Sequence, residues 1–186
     1  MKKFDAFWIL VVKEFPDAKI VFKDESRLMS AIDIFLRFIT LGLFKNFLQG
    51  FITTIGHTVY VPRDWMESDD TRKIVVIRHE RVHMRQEKKY GRIWYKFLYL
   101  FALPAVFTYR AKFEREAYEE TFRAYGELEG PDVLNPYSLD IDKYIRHFTG
   151  PNYFFMWPRK RRVKAWLYDT MNRVREEILS GKNGRI

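Results

Sequence analysis

Two histidines four residues apart, with a glutamate directly after the first, form the run His79-Glu80-Arg81-Val82-His83. On an α-helix, residues four apart share a face, so both imidazoles can reach a single ion while Glu80 projects alongside. Neutral imidazole is a common zinc ligand, and a carboxylate beside the ion can take a proton from water that the metal has made acidic. These residue types at this spacing point to a Zn²⁺ site that activates water. A catalytic zinc usually takes three protein ligands, so a third must come from elsewhere in the chain. There is no cysteine, which excludes thiolate ligands and disulfides and leaves His, Asp and Glu as donors. His57 and His147 are candidates, as are the acids of Phe113-Glu114-Arg115-Glu116-Ala117-Tyr118-Glu119-Glu120. Glu114 and Glu116 are two apart and point to nearly opposite sides of a helix, so only one can face the ion. Gln86 extends the face of His79 and His83, either to orient a ligand from behind or as a surface amide.

The run His79-Glu80-Arg81-Val82-His83, followed downstream by Glu114-Arg115-Glu116-Ala117, resembles the gluzincin branch of the HExxH zincin metallopeptidases, whose third ligand is a glutamate on a second helix. In many relatives that glutamate opens an E-x-x-A-D pattern, which maps onto Glu114 with Tyr118 standing where aspartate is usual. The alternative pattern, E-A-x-x-D, would select Glu116, with Glu120 replacing the aspartate. The resemblance covers roughly residues 51 to 120. It implies a zinc metallopeptidase that hydrolyses peptide bonds in a peptide or protein substrate. His79, His83 and Glu114, or alternatively Glu116, would hold Zn²⁺, and Glu80 would be the general base. Zincins also supply a Tyr, His or Arg donor to the tetrahedral oxyanion. Here Tyr153 and His147 are candidates, because Gly150-Pro151 can turn that segment over a cleft.

The elements that must position these residues are legible from punctuation and periodicity. Ser68-Asp69-Asp70 offers helix caps just before an apolar stretch, Ile74 to Ile77, and predicts a helix from Thr71 to Gly91 that begins buried and turns polar near Arg85. Residues 51 to 62 carry two β-rich runs meeting at Gly56-His57, a hairpin or bulged strand ended by Pro62. Ahead of it, the first 25 residues read as short elements, with Ile20-Val21-Phe22 a short strand and Asp24 to Ser26 capping a helix from Arg27 to Thr40. Beyond the central helix, residues 92 to 109 read as an aromatic helix broken at Pro104, and Tyr109 to Glu129 as a further helix stopped by Gly130-Pro131. Leu139 to Phe148 and Val163 to Leu179 complete the helices, and the tail from Gly181 is expected to be mobile. The expected fold is α+β and mostly helical. Within it, a minimal zincin-like single domain spans residues 1 to 186, with a small N-terminal sheet packed on the active-site helix. Its core runs from about residue 15 to 130 and a helical C-terminal extension from about 137 to 180.

The chain has 186 residues, 47% of them hydrophobic and 18% aromatic, enough to bury a core and to exclude a disordered chain. The apolar run Phe7 to Val12 follows Met1-Lys2-Lys3 but is too short for a signal peptide and lacks a cleavage site. Ile34 to Leu48 and Phe97 to Phe107 are interrupted and fall short of the roughly 20 residues a spanning helix needs. The expectation is a soluble protein with membrane-surface contact left open, cytoplasmic or associated with a virion or other assembly. Net charge is +9, which favours acidic partners, and the densest cluster is Arg159-Lys160-Arg161-Arg162 beside an aromatic segment. That patch motivates an alternative: a catalytically inactive zincin-like protein that binds nucleic acid, another acidic partner or a larger assembly.

Overall fold

The computed structural model describes residues 2–39, 41–42, 47–50, 52–100, 104–135, 137–150 and 156–181. The fold is α+β and mostly helical, with one small mixed sheet among the described residues. The chain divides into two compact units, residues 1–74 and 75–186.

In the first unit, Phe4, Phe7 and Val11 recur at helical spacing and are buried, so the N-terminal apolar run forms the helix α1, Lys3–Glu14, rather than a string of short elements. Strand β1, Lys19–Phe22, follows, then helix α2, Arg27–Ile39, and the short helix α3, Phe47–Gly50. The Ser26 hydroxyl caps α2 by accepting from the Met29 amide at 3.3 Å. Strands β2, Thr53–Ile55, and β3, Thr58–Val61, are an antiparallel hairpin joined by Gly56-His57. Gly56 takes φ of +63° as the first of the two turn residues, a conformation that glycine reaches without steric cost. The sheet order is β1-β3-β2, with β1 parallel to β3 and Ile20 opposite Val59. A parallel pair needs a crossover, and the chain through α2 and α3 supplies it.

Helix α4, Asp70–Tyr90, starts where the caps place it: the Asp69 carboxylate accepts from the Arg72 amide at 2.7 Å. Gly91, at φ +80°, ends α4 and turns the chain into α5, Arg92–Leu100. Helix α6, Pro104–Glu129, begins five residues before the predicted Tyr109. Helix α5 ends at Leu100, short of Pro104, and proline stands at the first position of α6, where no amide donor is required. Gly130, at φ +98°, and Pro131 end it.

Helix α7, Ile141–Thr149, is capped by Asp140 on the Lys143 amide. Helix α8, Lys160–Leu179, starts three residues before the predicted Val163, because only from Val163 onward does its buried stripe begin. Phe122 from α6, Leu134, Ile145 and Phe148 from α7, and Leu167 and Met171 from α8 are among the side chains of one apolar core. No described helix is long and apolar enough to cross a membrane. The predicted tail, from residue 182 on, lies outside the described residues.

Helix α4 is tied to α6 by a nearly buried guanidinium. Arg78 pairs with Glu120 at 2.6 Å and with Glu127, its own side chain only 8% exposed. Two carboxylates hold its pKa above the usual arginine range against the opposing effect of burial. Removing one partner of a buried ion pair leaves uncompensated charge, whereas removing the whole group need not. Arg78→Met is expected to cost about 3–5 kcal/mol. Arg78→Met/Glu120→Gln/Glu127→Gln should recover much of that loss, read from urea unfolding.

Candidate metal centre

His79 and His83 lie one turn apart on α4 and Glu114 on α6, and their side chains converge. The two Nε2 atoms are 3.2 Å apart. Glu114 places Oε2 3.6 Å from His79 Nε2 and Oε1 3.7 Å from His83 Nε2. Glu114 is 3% exposed, so its carboxylate faces the imidazoles and not solvent. Glu116, two residues on, turns away and is exposed; its Oε2 accepts from the Gln86 amide at 2.9 Å.

Around this cluster, Thr121 Oγ1 lies 3.1 Å from the Ala117 carbonyl oxygen and 3.0 Å from His79 Nδ1. With its proton on the carbonyl, the hydroxyl accepts from a proton on His79 Nδ1. The Gln86 amide nitrogen donates to the Phe113 carbonyl and to Glu116, so Gln86 Oε1 faces His83 Nδ1, 3.0 Å away, and must accept as well. That arrangement favours a proton on His83 Nδ1, and the Tyr95 oxygen lies 3.2 Å from the same nitrogen. The two Nε2 atoms face each other and the Glu114 carboxylate.

Two imidazole nitrogens and a carboxylate at such distances favour positive charge among them, a proton or a cation. Around a tetrahedral zinc with ligand bonds of about 2.0–2.2 Å, neighbouring donor atoms stand about 3.3–3.6 Å apart. The Nε2–Nε2 separation of 3.2 Å and the 3.6 Å from His79 Nε2 to Glu114 Oε2 lie close to that frame; the 3.7 Å to His83 Nε2 is from the other carboxylate oxygen, and one ligand atom from each residue lies within 4.8 Å of the others. The electrostatics agree: burial disfavours a charged His79, yet Glu114 and Glu80 outweigh it and raise its pKa above the ordinary value. Both carboxylates favour positive charge at this point, whether it arrives as a proton or as a cation. Glu80 is 8% exposed. Burial, followed by Glu114 and Glu80, pushes the Tyr95 phenol far up, so it stays protonated.

Set beside known proteins, the chain matches no family model, no curated protein and no solved structure.

Other candidates have different surroundings. His57 stands at the β2–β3 turn, where its Nδ1 meets Asp17 Oδ1 at 2.6 Å. Tyr153 lies outside the described residues. His147, on α7, is joined to the cluster through Tyr118. The Tyr118 ring packs edge-on against His79, with centroids 4.9 Å apart, and its hydroxyl meets His147 Nδ1. Arg159 and the first turn of α8 keep their four cations exposed, and no acid in that turn offsets them. The neighbouring Trp157 and Trp166 instead pack on the core with the Arg115 guanidinium over both rings.

Thr121 and Tyr95 complete the surroundings of the histidines without having been singled out in the sequence, and Tyr118, noted there only for standing in place of an aspartate, joins them. Thr121 had a signal, standing seven residues after Glu114 and so on the same helical face. Tyr95 had none, because its approach to His83 depends on the chain reversal at Gly91.

Thr121→Val and Gln86→Leu each remove an acceptor that orients an imidazole. Each is expected to weaken Zn²⁺ binding by about 10–100-fold, in a competitive chelator titration, with the fold retained. His147 yields a pH prediction. Burial, with Lys143 adding to it, lowers its pKa from 6.5 to about 4. Between those values the unfolded chain takes up a proton here that the folded chain does not. Stability at this position is therefore full above pH 6.5 and declines as pH falls toward 4. His147→Gln should flatten that part of the stability profile, measured by urea unfolding across the window.

Proposed function

We propose that the protein is a zinc-dependent metallopeptidase of the HExxH type, with His79, His83 and Glu114 as metal ligands and Glu80 as general base. The observation that carries the reading is the convergence of two imidazoles and one buried carboxylate, with one ligand atom from each within 4.8 Å of the others. Such a donor set, hard oxygen with borderline nitrogen and no sulfur, suits zinc. Three ligands leave a tetrahedral ion one open position, the arrangement of a catalytic rather than a structural site. Zinc bound there supplies Lewis acidity, making water a nucleophile near neutral pH and polarising a carbonyl.

The protein's own residues do the rest. Glu80 follows His79 on α4, so its carboxylate stands beside the two imidazoles. It takes a proton from water as the oxygen attacks the peptide carbonyl carbon, and delivers that proton to the amine nitrogen as the carbon–nitrogen bond breaks. Thr121 and Gln86 keep the ring protons of His79 and His83 on Nδ1 throughout, so both Nε2 atoms stay available as ligands. Glu116 is engaged with Gln86, which supports Glu114 as the third ligand. His147, kept neutral near pH 7 by burial, is the described candidate for donating to the developing oxyanion, with Tyr118 fixing its ring.

Metal analysis of the purified chain is expected to find about one zinc per molecule. Glu114→Gln should lose the metal and Glu116→Gln should keep it. Glu80→Gln should bind zinc and fold normally while peptide hydrolysis falls on the order of 10²–10⁴-fold in kcat. A folded chain that takes up no zinc at micromolar concentrations would overturn the proposal.

A further inference from the structure

Helix α5 has two unlike faces. Tyr95 is 7% exposed and reaches back to His83, while Ile93, Trp94 and Phe97 are 82%, 65% and 45% exposed. At about 100° per residue, those three side chains occupy roughly a third of the helix circumference. The Trp94 and Phe97 rings meet edge to face at 5.9 Å, forming one continuous apolar surface. A large exposed apolar cluster of this kind costs free energy in water and marks a surface that is covered in use.

The charge around it says what kind of partner covers it. From Arg85 to Phe97 the chain carries five cations, Arg85, Lys88, Lys89, Arg92 and Lys96, against a single acid, Glu87. Glu87 is buried and pairs with Arg92 at 3.7 Å, and four of those cations, all but Lys96, are exposed. Arg92 and Lys96 project from the flank of the apolar arc on α5 itself. Exposed aromatic and aliphatic side chains flanked by lysine and arginine are the pattern of a helix that lies in the interface of an anionic bilayer. Tryptophan is favoured at that depth, and each nearby cation adds attraction to acidic lipid.

Single-stranded nucleic acid would also use the cations and stack on Trp94. The most exposed of the three side chains, however, is Ile93, which has no ring to stack and gains only from hydrocarbon burial. We propose that α5 docks the protein on an anionic membrane surface, with Ile93, Trp94 and Phe97 inserted among the acyl chains and the cations from Arg85 to Lys96 against the lipid phosphates. Because Tyr95 touches His83 from the opposite face of the same helix, one element carries both the lipid-facing surface and a contact to the metal-site residues. The proposal is independent of hydrolytic activity.

Sedimentation with phosphatidylcholine vesicles, with and without phosphatidylglycerol, tests it on the full chain. Binding is expected only to the anionic vesicles, and it should weaken as salt is raised. Ile93→Ser and Trp94→Ser should each weaken it on the order of tenfold. Both sites are exposed, so circular dichroism and thermal melts should match the unaltered protein. Emission assigned to Trp94, by difference from Trp94→Phe, should shift to the blue on binding. Absence of vesicle binding overturns the proposal, as does binding that neither serine variant changes. Retention on single-stranded DNA without vesicle binding would assign the surface to nucleic acid instead. Self-association abolished by the same variants, again without vesicle binding, would assign it to a second copy of the chain.

Discussion

Two imidazole nitrogens 3.2 Å apart and facing a buried carboxylate are the constraint around which this region is arranged. Groups brought so close favour positive charge among them, a proton or a cation. The surrounding side chains hold the rings in that position. Thr121 Oγ1 lies 3.0 Å from His79 Nδ1 and Gln86 Oε1 3.0 Å from His83 Nδ1, while the Gln86 amide nitrogen donates to Phe113 and Glu116. Each imidazole is thus oriented by a second side chain, itself held by a third group.

Helix α6 provides most of that second layer. Glu114, Glu116, Ala117, Tyr118 and Thr121 all come from it, and it also carries Glu120 and Glu127, the partners of Arg78. The register between α4 and α6 therefore decides which side chains of α6 meet the two histidines. A buried arginine with two carboxylates is a costly way to hold two helices, since desolvation consumes much of the Coulomb energy. It is a directional one. An apolar contact in its place would tolerate sliding, and a slip of one residue would turn Glu114 away from the histidines.

Tyr118 extends the arrangement outward. In the E-x-x-A-D pattern an aspartate would occupy this position; here an aromatic ring packs on His79 and its hydroxyl meets His147 on α7. The ring also lies against Tyr144 and Phe148, so one side chain belongs both to the apolar core and to the polar cluster. Helix α5 has a similar double role, because Gly91 reverses the chain tightly enough to return Tyr95 to His83.

Local chemistry by itself determined much of this protein. The Asp69 cap and the apolar run after it specify α4, and the spacing of His79 and His83 then specifies that they share a face. Gly56 sets the hairpin, and Gly130-Pro131 ends α6. Those features are legible because they depend on neighbours within one or two helical turns. The choice between Glu114 and Glu116 as the residue facing the imidazoles, the burial of Gln86, and the pairing of Thr121 and Tyr95 with the histidines were decided only by tertiary structure. Each depends on which face of one helix meets which face of another. The cations at the start of α8 show the same limit from the other side. Unfavourable dipole contacts carry local penalties of about 1 kcal/mol or less, and packing over the rest of a long helix outweighs them.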